Sequence, residues 1–296
     1  MISESAILNC FQRLVDLNKD DLVIVGSGDD AAVIKSQEKD LVHSIDISKI
    51  NSHFPQDSMP QDIAYRSIAV ALSDLAAMGA FPAFISIGLT SNVTDLKWYE
   101  QFTCGVEEIL NEYQLKLVGG DVTNGEISVC VNVFGYAYEK NILRSTAKVG
   151  DLIYITGPLG EGRKGLEDWK NNQQTKYIKK FFKPKEDFDK SKYISKYANS
   201  CIDISDGLMK DLSRICKSSE VGAEIIYENI PITNDIDDLS YGDDYKLCYT
   251  CSPEFRDNEF ISQDFYIGEI KSDTEIILNK GNSSINLKKH GWDSFE

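Results

Sequence analysis

The stretch Asp62–Ala80, DIAYRSIAVALSDLAAMGA, constrains this chain more than any other. Ile63, Ser67, Val70, Asp74 and Met78 recur at steps of three and four. A helix from about Asp62 to Gly79 therefore carries Asp74 on the same face as apolar positions, a face expected to be packed. Asp62, two residues after Pro60, is the expected N-cap, and Gly79 the expected stop. Asp74 then lies in the last turns, where the helix dipole disfavours negative charge. An ionised carboxylate so placed is costly unless it is paired, strongly hydrogen-bonded or bound to a metal. The competing reading, an Asp74 solvated on the flank of the helix, stays open on this segment alone.

The length of 296 residues allows two ordinary domains, and 42% hydrophobic residues can build real cores. No run approaches the ~18–20 uninterrupted apolar residues of a membrane span, and MISESAILNCFQRL lacks the pattern of a signal peptide, so a cytoplasmic protein with no membrane partner is expected. A net charge of −16 argues against nucleic acid as a partner, since there is no basic field to release counterions, and favours ligands that arrive with cations. Seven cysteines are scattered singly except Cys248 and Cys251. Those two lie three apart in the strand-like YKLCYTC and so point to opposite faces, which argues against a zinc or redox pair.

Residues 4–17 read as an amphipathic helix. Val23–Ile34 gives two apolar runs around Gly28-Asp29-Asp30, and Asp40–Ile47 an alternating strand with Ser44 and Asp46 on one face. Phe84–Leu89 reads as a strand, Asp95–Tyr113 as a helix, and Leu115–Gly120 as a strand ending in two glycines and Asp121. Glycines there permit a close backbone approach to a ligand. Ile127–Tyr138 is a long β run, and the polar Glu139–Asn141 is the expected domain boundary.

The second half opens with a strand, Leu152–Thr156, and the turn Gly157-Pro-Leu-Gly160-Glu-Gly162 leading into a helix. Without Lys-Ser/Thr after it, this is no Walker motif; a tight strand-to-helix turn and a nucleotide contact both remain open. The lysine-rich stretch around 170–196 is expected as solvated helix and loop, docked by Phe181 and Phe182. Cys201–Gly207 ends a strand with Asp203 and Ser205 on one face, and Leu208, Leu212 and Ile215 begin a helix that Ser205 or Asp206 could cap.

Asp29/Asp30, Asp46, Asp74, Asp121 and Asp203/Asp206 all fall at strand ends, turns or the end of an apolar helix, where folds gather functional groups. Oxygen donors without histidine or thiolate company point to Mg²⁺, which binds through carboxylates plus substrate phosphates.

Four motifs carry a resemblance: Gly28-Asp-Asp-Ala31, Leu72-Ser-Asp-Leu-Ala-Ala-Met-Gly79, Gly119-Gly-Asp-Val-Thr123 and Ile202-Asp-Ile-Ser-Asp-Gly-Leu208. In that order, and with His53-Phe54, Arg144-Ser145 and Trp292, they resemble the thiamine-monophosphate kinases of the aminoimidazole ribonucleotide synthetase-like superfamily. The resemblance implies an α+β chain of two α/β domains. Residues 1–139 would bind Mg²⁺ and ATP and form a β-barrel with a second copy in a homodimer; residues 140–296, a mixed sheet with helices, would complete the active site.

It also implies ATP-dependent phosphorylation of thiamine monophosphate to thiamine diphosphate, with several Mg²⁺ ions and K⁺ as a candidate further ion. Asp30, Ser44, Asp46, Asp74, Asp121, Asp203 and Asp206 are then the expected metal ligands. Tyr113, Gly120, Asp121, Arg144 and Ser205 are the expected ATP contacts, and His53, Asp243 and Trp292 the expected contacts to thiamine monophosphate. Asp74, Asp121 and Arg144 are the expected catalytic groups. The chain departs from the family pattern at Ile45, where a threonine is usual, at Tyr241-Gly-Asp243-Asp244 in place of Gly-Gly-Glu-Asp, and around Pro184-Lys185-Glu186, where a proline-arginine motif is usual.

Overall fold

The structure, a computed structural model, describes residues 3–16, 22–25, 31–287 and 291–293. The chain divides into two compact units. The first is Met1–Leu75 with Phe81–Ala137; the second is Tyr138–Glu296 together with the short segment Ala76–Ala80.

In chain order the first unit contains α1 (Glu4–Asp16), β1 (Val23–Val25), β2 (Val33–Ile34), β3 (Leu41–Lys49), α2 (Pro60–Ala77), β4 (Ala80–Thr90), α3 (Leu96–Tyr113), β5 (Lys116–Thr123) and β6 (Ser128–Ala137), the end of α2 and the first residue of β4 being the segment assigned to the second unit. Four strands form one sheet in the order β3-β6-β4-β5, with β3 antiparallel to β6 over its whole length and β4 parallel to β5.

Helix α2 is not one-sided. Ile63, Ala64, Tyr65, Ile68, Ala69, Ala71, Leu72 and Leu75 are fully buried, and Arg66, Ser67 and Ser73 are buried with them. Asp74 is only half-buried, so it occupies one of the few openings on an otherwise enclosed helix. The helix begins at Pro60, where proline's fixed φ and missing N–H suit the first turn; the Asp62 and Ile63 amides both donate to the Met59 carbonyl, at 2.9 and 3.0 Å. Asp62 is therefore a first-turn acid facing the positive end of the dipole and not the cap. Gly79 follows the helix at φ +69°, the left-handed conformation of a stop.

Strand β5 does not end at its glycines but runs through Gly119, Gly120 and Asp121 to Thr123. The reason is steric: a β-carbon on Gly120 would lie 2.6 Å from the Ile87 carbonyl oxygen of the neighbouring strand.

The second unit contains β7 (Leu152–Ile155), α4 (Glu161–Lys170), α5 (Lys176–Phe182), α6 (Phe188–Tyr197), β8 (Ala198–Asp203), α7 (Leu208–Ser219), β9 (Gly222–Ile226), α8 (Asp238–Tyr241), β10 (Leu247–Cys251), β11 (Phe265–Lys271), β12 (Ile276–Lys280) and β13 (Ser283–Ile285). Its seven-stranded mixed sheet runs β13-β12-β9-β11-β7-β10-β8; only β12 and β9 pair in parallel. On one face Ile153, Ile155, Ile202 and Cys248 pack with Leu208, Leu212 and Ile215 of α7. On the other, Leu152, Tyr154, Tyr249 and Cys251 pack with Ile194 of α6. Cys248 and Cys251 thus separate to opposite faces, as their spacing requires.

The Gly157–Gly162 turn resolves to a tight strand-to-helix connection whose polar groups are claimed from within the chain. The Gly160 amide donates to Asp244 Oδ1 at 2.7 Å, and a β-carbon on Gly160 would sit about 2 Å from the Asp238 carboxylate. Two buried acids thus face the turn that starts α4 and occupy the space a phosphate there would need.

The crossing of α2 and α3 fixes where Asp74 sits, and it is as close as backbones allow: a β-carbon at Gly105 of α3 would lie 2.0 Å from the Gln61 carbonyl oxygen. Gly105→Ala should therefore destabilise the fold by about 1–3 kcal/mol, the usual cost of overpacking, measurable as a lower urea midpoint with unchanged slope. A stability equal to that of the unaltered chain would mean that the two helices do not meet there.

Candidate active site

In the first unit, β3 alternates strictly. Leu41, His43, Ile45, Ile47 and Lys49 are exposed, whereas Val42, Ser44, Asp46 and Ser48 lie on the covered face. That pleat brings Ser44 and Asp46 to the opening on α2: the Ser44 hydroxyl donates to Asp74 Oδ2 at 2.5 Å. Asp46 stands two residues further along the same face. Its carboxyl is pushed up to about 6, first by burial and then by the charge of Asp74. Burial and the charge of Asp46 in turn raise the Cys130 thiol on β6. Two carboxylates and a hydroxyl thus lie close together, and burial and like charge disfavour ionisation of Asp46.

The other expected residues of this unit lie on β5, in the turn after β3 and at the end of α3. Asp121 is exposed on β5, opposite Gly88 of β4. Gly88 in turn abuts Cys130 of β6, which pairs with Ile47 of β3. Three strand spacings, roughly 14 Å, separate the Asp121 and Ile47 backbones, far beyond the reach of a hydrogen bond. His53 closes the turn after β3: its Nδ1 accepts the Lys49 amide at 3.0 Å, so the neutral ring keeps its proton on Nε2. The His53 carbonyl accepts Nε of the buried Arg66 at 2.9 Å. Tyr113 ends α3, which Gln114 terminates in the left-handed conformation. Asp30 lies outside the described residues.

In the second unit, β8 ends at the buried Asp203, and Ser205, Asp206 and Gly207 form the turn into α7. Ser205 therefore lies beyond the strand and not in register on it, and neither Ser205 nor Asp206 caps the helix. The turn is held by Asp211, one turn into α7, whose Oδ2 accepts the amides of Ser205, Asp206 and Gly207 at 3.0, 2.9 and 3.1 Å. The Asp206 carboxylate is ion-paired with Arg214 and lies 3.4 Å from Lys210 Nζ. Asp243, at φ +65°, donates its amide to the Ser205 carbonyl at 2.9 Å, and the Trp292 amide donates to the Asp206 carbonyl at 2.9 Å. Ser205, Asp206, Asp243 and Trp292 thus meet at one turn. Arg144 is anchored at the opposite end of α7, where its carbonyl accepts the Ser219 hydroxyl at 2.8 Å.

Among the described residues no three His, Cys, Asp or Glu side chains are grouped to hold a metal ion. The Ser44–Asp46–Asp74 pocket nevertheless fits Mg²⁺, because that ion takes one or two carboxylates and fills its shell with waters and substrate phosphates.

The family model for the N-terminal domain of AIR synthase related proteins matches residues 28–137. The thiamine-monophosphate kinase of Buchnera aphidicola subsp. Schizaphis graminum is 41% identical over 254 residues, 79% of either chain. The chain belongs to the thiamine-monophosphate kinase family. Among solved structures, the thiamine-monophosphate kinase of Stenotrophomonas maltophilia K279a superposes with a TM-score of 0.83 at 28% identity, covering 94% of this chain and 97% of that one. AaThiL complexed with AMPPCP and TMP superposes with a TM-score of 0.80 at 25% identity, covering 100% and 99%.

The thiamine-monophosphate kinase motifs do not include every residue that shapes the site. Arg66, which holds the His53 turn, and Asp211 and Arg214, which hold the Ser205–Gly207 turn, are read only from the structure. Asp211 carries the same sign as Asp74, an acid at helical spacing among Leu208, Leu212 and Ile215.

The raised Asp46 carboxyl makes a testable stability claim. Its folded value of about 6 lies above the unfolded 3.8, so the folded state holds the extra proton between these values. Stability is lost as pH rises through that window. In metal-free protein, Asp46→Asn should add about 1–3 kcal/mol at pH 7.5, with the gain shrinking toward pH 4. Urea denaturation at pH 4.5, 6 and 7.5 measures it; a gain independent of pH would show that Asp46 is not the titrating group.

Proposed function

We infer that this chain transfers the terminal phosphoryl group of ATP to thiamine monophosphate, giving thiamine diphosphate and ADP. Membership of the thiamine-monophosphate kinase family supports the reaction, and the related AaThiL, complexed with AMPPCP and TMP, carries a ligand pair of that kind. The observation in this chain that carries the reading is the Ser44–Asp46–Asp74 pocket, an all-oxygen donor set whose charge is relieved by a hard cation with phosphates attached.

The attacking group is a phosphate oxygen of thiamine monophosphate. A phosphate monoester with a second pKa near 6 is largely dianionic at pH 7, so no general base is required. The difficulty is to bring two anionic phosphates into line. Mg²⁺ bound at such a site supplies charge neutralisation and a template for the two phosphates. In the first unit Asp46, Asp74 and Ser44 would hold one ion, Asp30 and Asp121 would serve as ligands of other ions, and Gly120, Asp121 and Tyr113 would contact ATP. His53, steadied by Arg66 and Lys49, would meet thiamine monophosphate.

In the second unit Asp203 and Asp206 would serve as metal ligands, Ser205 and Arg144 as ATP contacts, and Asp243 and Trp292 as substrate contacts. An aromatic face suits the cationic thiazolium ring.

We further propose a homodimer. Strand β3 is an edge strand whose outer face exposes Leu41 (58%), Ile45 (52%) and Ile47 (59%), an apolar row suited to a second copy of the chain. No helix among the described residues is long and apolar enough to cross a membrane.

The test is ADP release and thiamine diphosphate formation from ATP, Mg²⁺ and thiamine monophosphate, repeated with Asp74→Asn. The substitution should lower kcat by at least about 10³-fold while the circular dichroism spectrum and urea midpoint stay close to those of the unaltered chain. Undiminished turnover in that variant would remove Asp74 from the site, and binding of both ligands without turnover in the unaltered chain would reduce the protein to a binding module.

A further inference from the structure

Lys210, in the first turn of α7, is not among the motif residues, yet it joins two segments of the second unit that lie far apart in sequence. Its ammonium donates to the Trp292 carbonyl and lies 3.4 Å from Asp206 Oδ2 and 3.7 Å from Asp293 Oδ2. The backbone adds a second link, the Trp292 amide on the Asp206 carbonyl at 2.9 Å. Gly291 makes the approach possible, because a β-carbon there would lie 2.5 Å from Lys210 Cβ and 2.9 Å from the Asp206 carbonyl oxygen. Residues 291–293 therefore lie flat on the first turn of α7, with one side-chain cation bridging the tail and the turn.

We propose that Lys210 is a positioning residue for the vitamin substrate: it clasps the tail so that Trp292 is held at the Ser205–Gly207 turn. This rests on the reading of Trp292 as a contact to thiamine monophosphate. The physical case is one of arrangement. Two acids and a carbonyl converge on a single ammonium that is itself partly covered, so the bridge is screened less than an exposed surface pair. Arg214 pairs with Asp206 and Asp211, so its charge is engaged by the turn and its own helix. Trp292 is one aromatic side chain on a short segment, and without the clasp the entropy of ordering that segment would be charged to substrate binding.

The experiment uses the full-length chain with Lys210→Met, which keeps the stem and removes the charge, and Lys210→Arg, which restores it. Lys217→Met, on the exposed end of the same helix, is the control. Two readouts are taken. Acrylamide quenching, measured as the difference between each protein and its Trp292→Phe counterpart, isolates Trp292 from Trp98 and Trp169. Steady-state kinetics gives KM for thiamine monophosphate and for ATP separately.

Lys210→Met should at least double the quenching constant of Trp292 and raise KM for thiamine monophosphate about 10-fold. KM for ATP should change by less than about 2-fold, and Lys210→Arg should recover most of both effects. Unchanged quenching in Lys210→Met overturns the clasp whatever the kinetics show. Increased quenching with an unchanged KM for thiamine monophosphate overturns the positioning role while leaving the docking in place. If the unaltered chain does not turn over thiamine monophosphate, the functional reading fails on its own, and quenching still decides the clasp. An equal rise in both KM values, or a loss of the folded spectrum that Lys210→Arg does not reverse, would mark Lys210 as merely structural and overturn the proposal.

Discussion

Everything in the first unit turns on the charge shared by Asp46 and Asp74. Helix α2 is enclosed on nearly every side, and α3 crosses it at a glycine with no room to spare, so the helix cannot rotate to carry Asp74 into water. Strand β3 is held over its full length by β6, so its pleat cannot slip to move Asp46 without turning Ile45 and Ile47 inward. The two carboxylates are therefore fixed by backbone packing before any ligand arrives. A rise from 3.8 to about 6 corresponds to about 3 kcal/mol at most of disfavoured ionisation, a sizeable share of the 5–15 kcal/mol that holds an ordinary domain together. Under the proposed reading a cation bound there would relieve that cost, and the rigid frame would hold the two carboxylates ready for it.

The second unit meets the same difficulty by other means. Asp206 is balanced by Arg214 and Lys210, and the fully buried Asp211 by Arg214 and three backbone amides. Burial still pushes Asp211 up to about 6, although Arg214 and the amides act in the opposite direction. The consequence is a turn whose shape is fixed by hydrogen bonds from the chain's own amides. Removing the Asp211 carboxylate would free three donors at once, so the turn stands or falls as a unit. One unit thus keeps an unbalanced charge on a rigid frame, while the other spends its charges on holding a backbone in place.

Much of this was legible from residue spacing because the signals are local. The period of α2 placed Asp74 among apolar positions, the alternation of β3 placed Ser44 with Asp46, and the spacing of Cys248 and Cys251 sent them to opposite faces. What spacing could not provide was the identity of non-local partners. The Gly157–Gly162 turn reads equally well as an anion cradle until Asp238 and Asp244, some eighty residues later, are found against it. The glycines of β5 read as an end of strand because the obstacle that requires Gly120 is the backbone of another strand. Asp211 was within reach: an acid among Leu208, Leu212 and Ile215 repeats the Asp74 signal, but a first-turn acid has a ready local explanation in the helix dipole, and that explanation hid its reach back to the turn.

The departures from the family pattern at 241–244 are physically coupled. The usual pattern begins with two glycines and a glutamate; here Tyr241 closes the short helix α8, and only Gly242 is left to reverse the chain, at φ +81°. Its β-carbon would strike the Ser205 carbonyl at 2.3 Å, so this glycine cannot be dispensed with. The tyrosine is accommodated because its ring turns outward beneath the Arg163 guanidinium, 5.5 Å from the ring centre, while Arg163 also pairs with Asp235 and Asp238. Asp243 then stands in the left-handed region, which aspartate enters more readily than longer or branched side chains, and the carbonyl of Asp243 leaves no room for a side chain at Gly162. The shorter acid accords with that backbone conformation. The Asp243 amide remains bonded to the Ser205 carbonyl, so the altered segment stays tied to the turn that leads into α7.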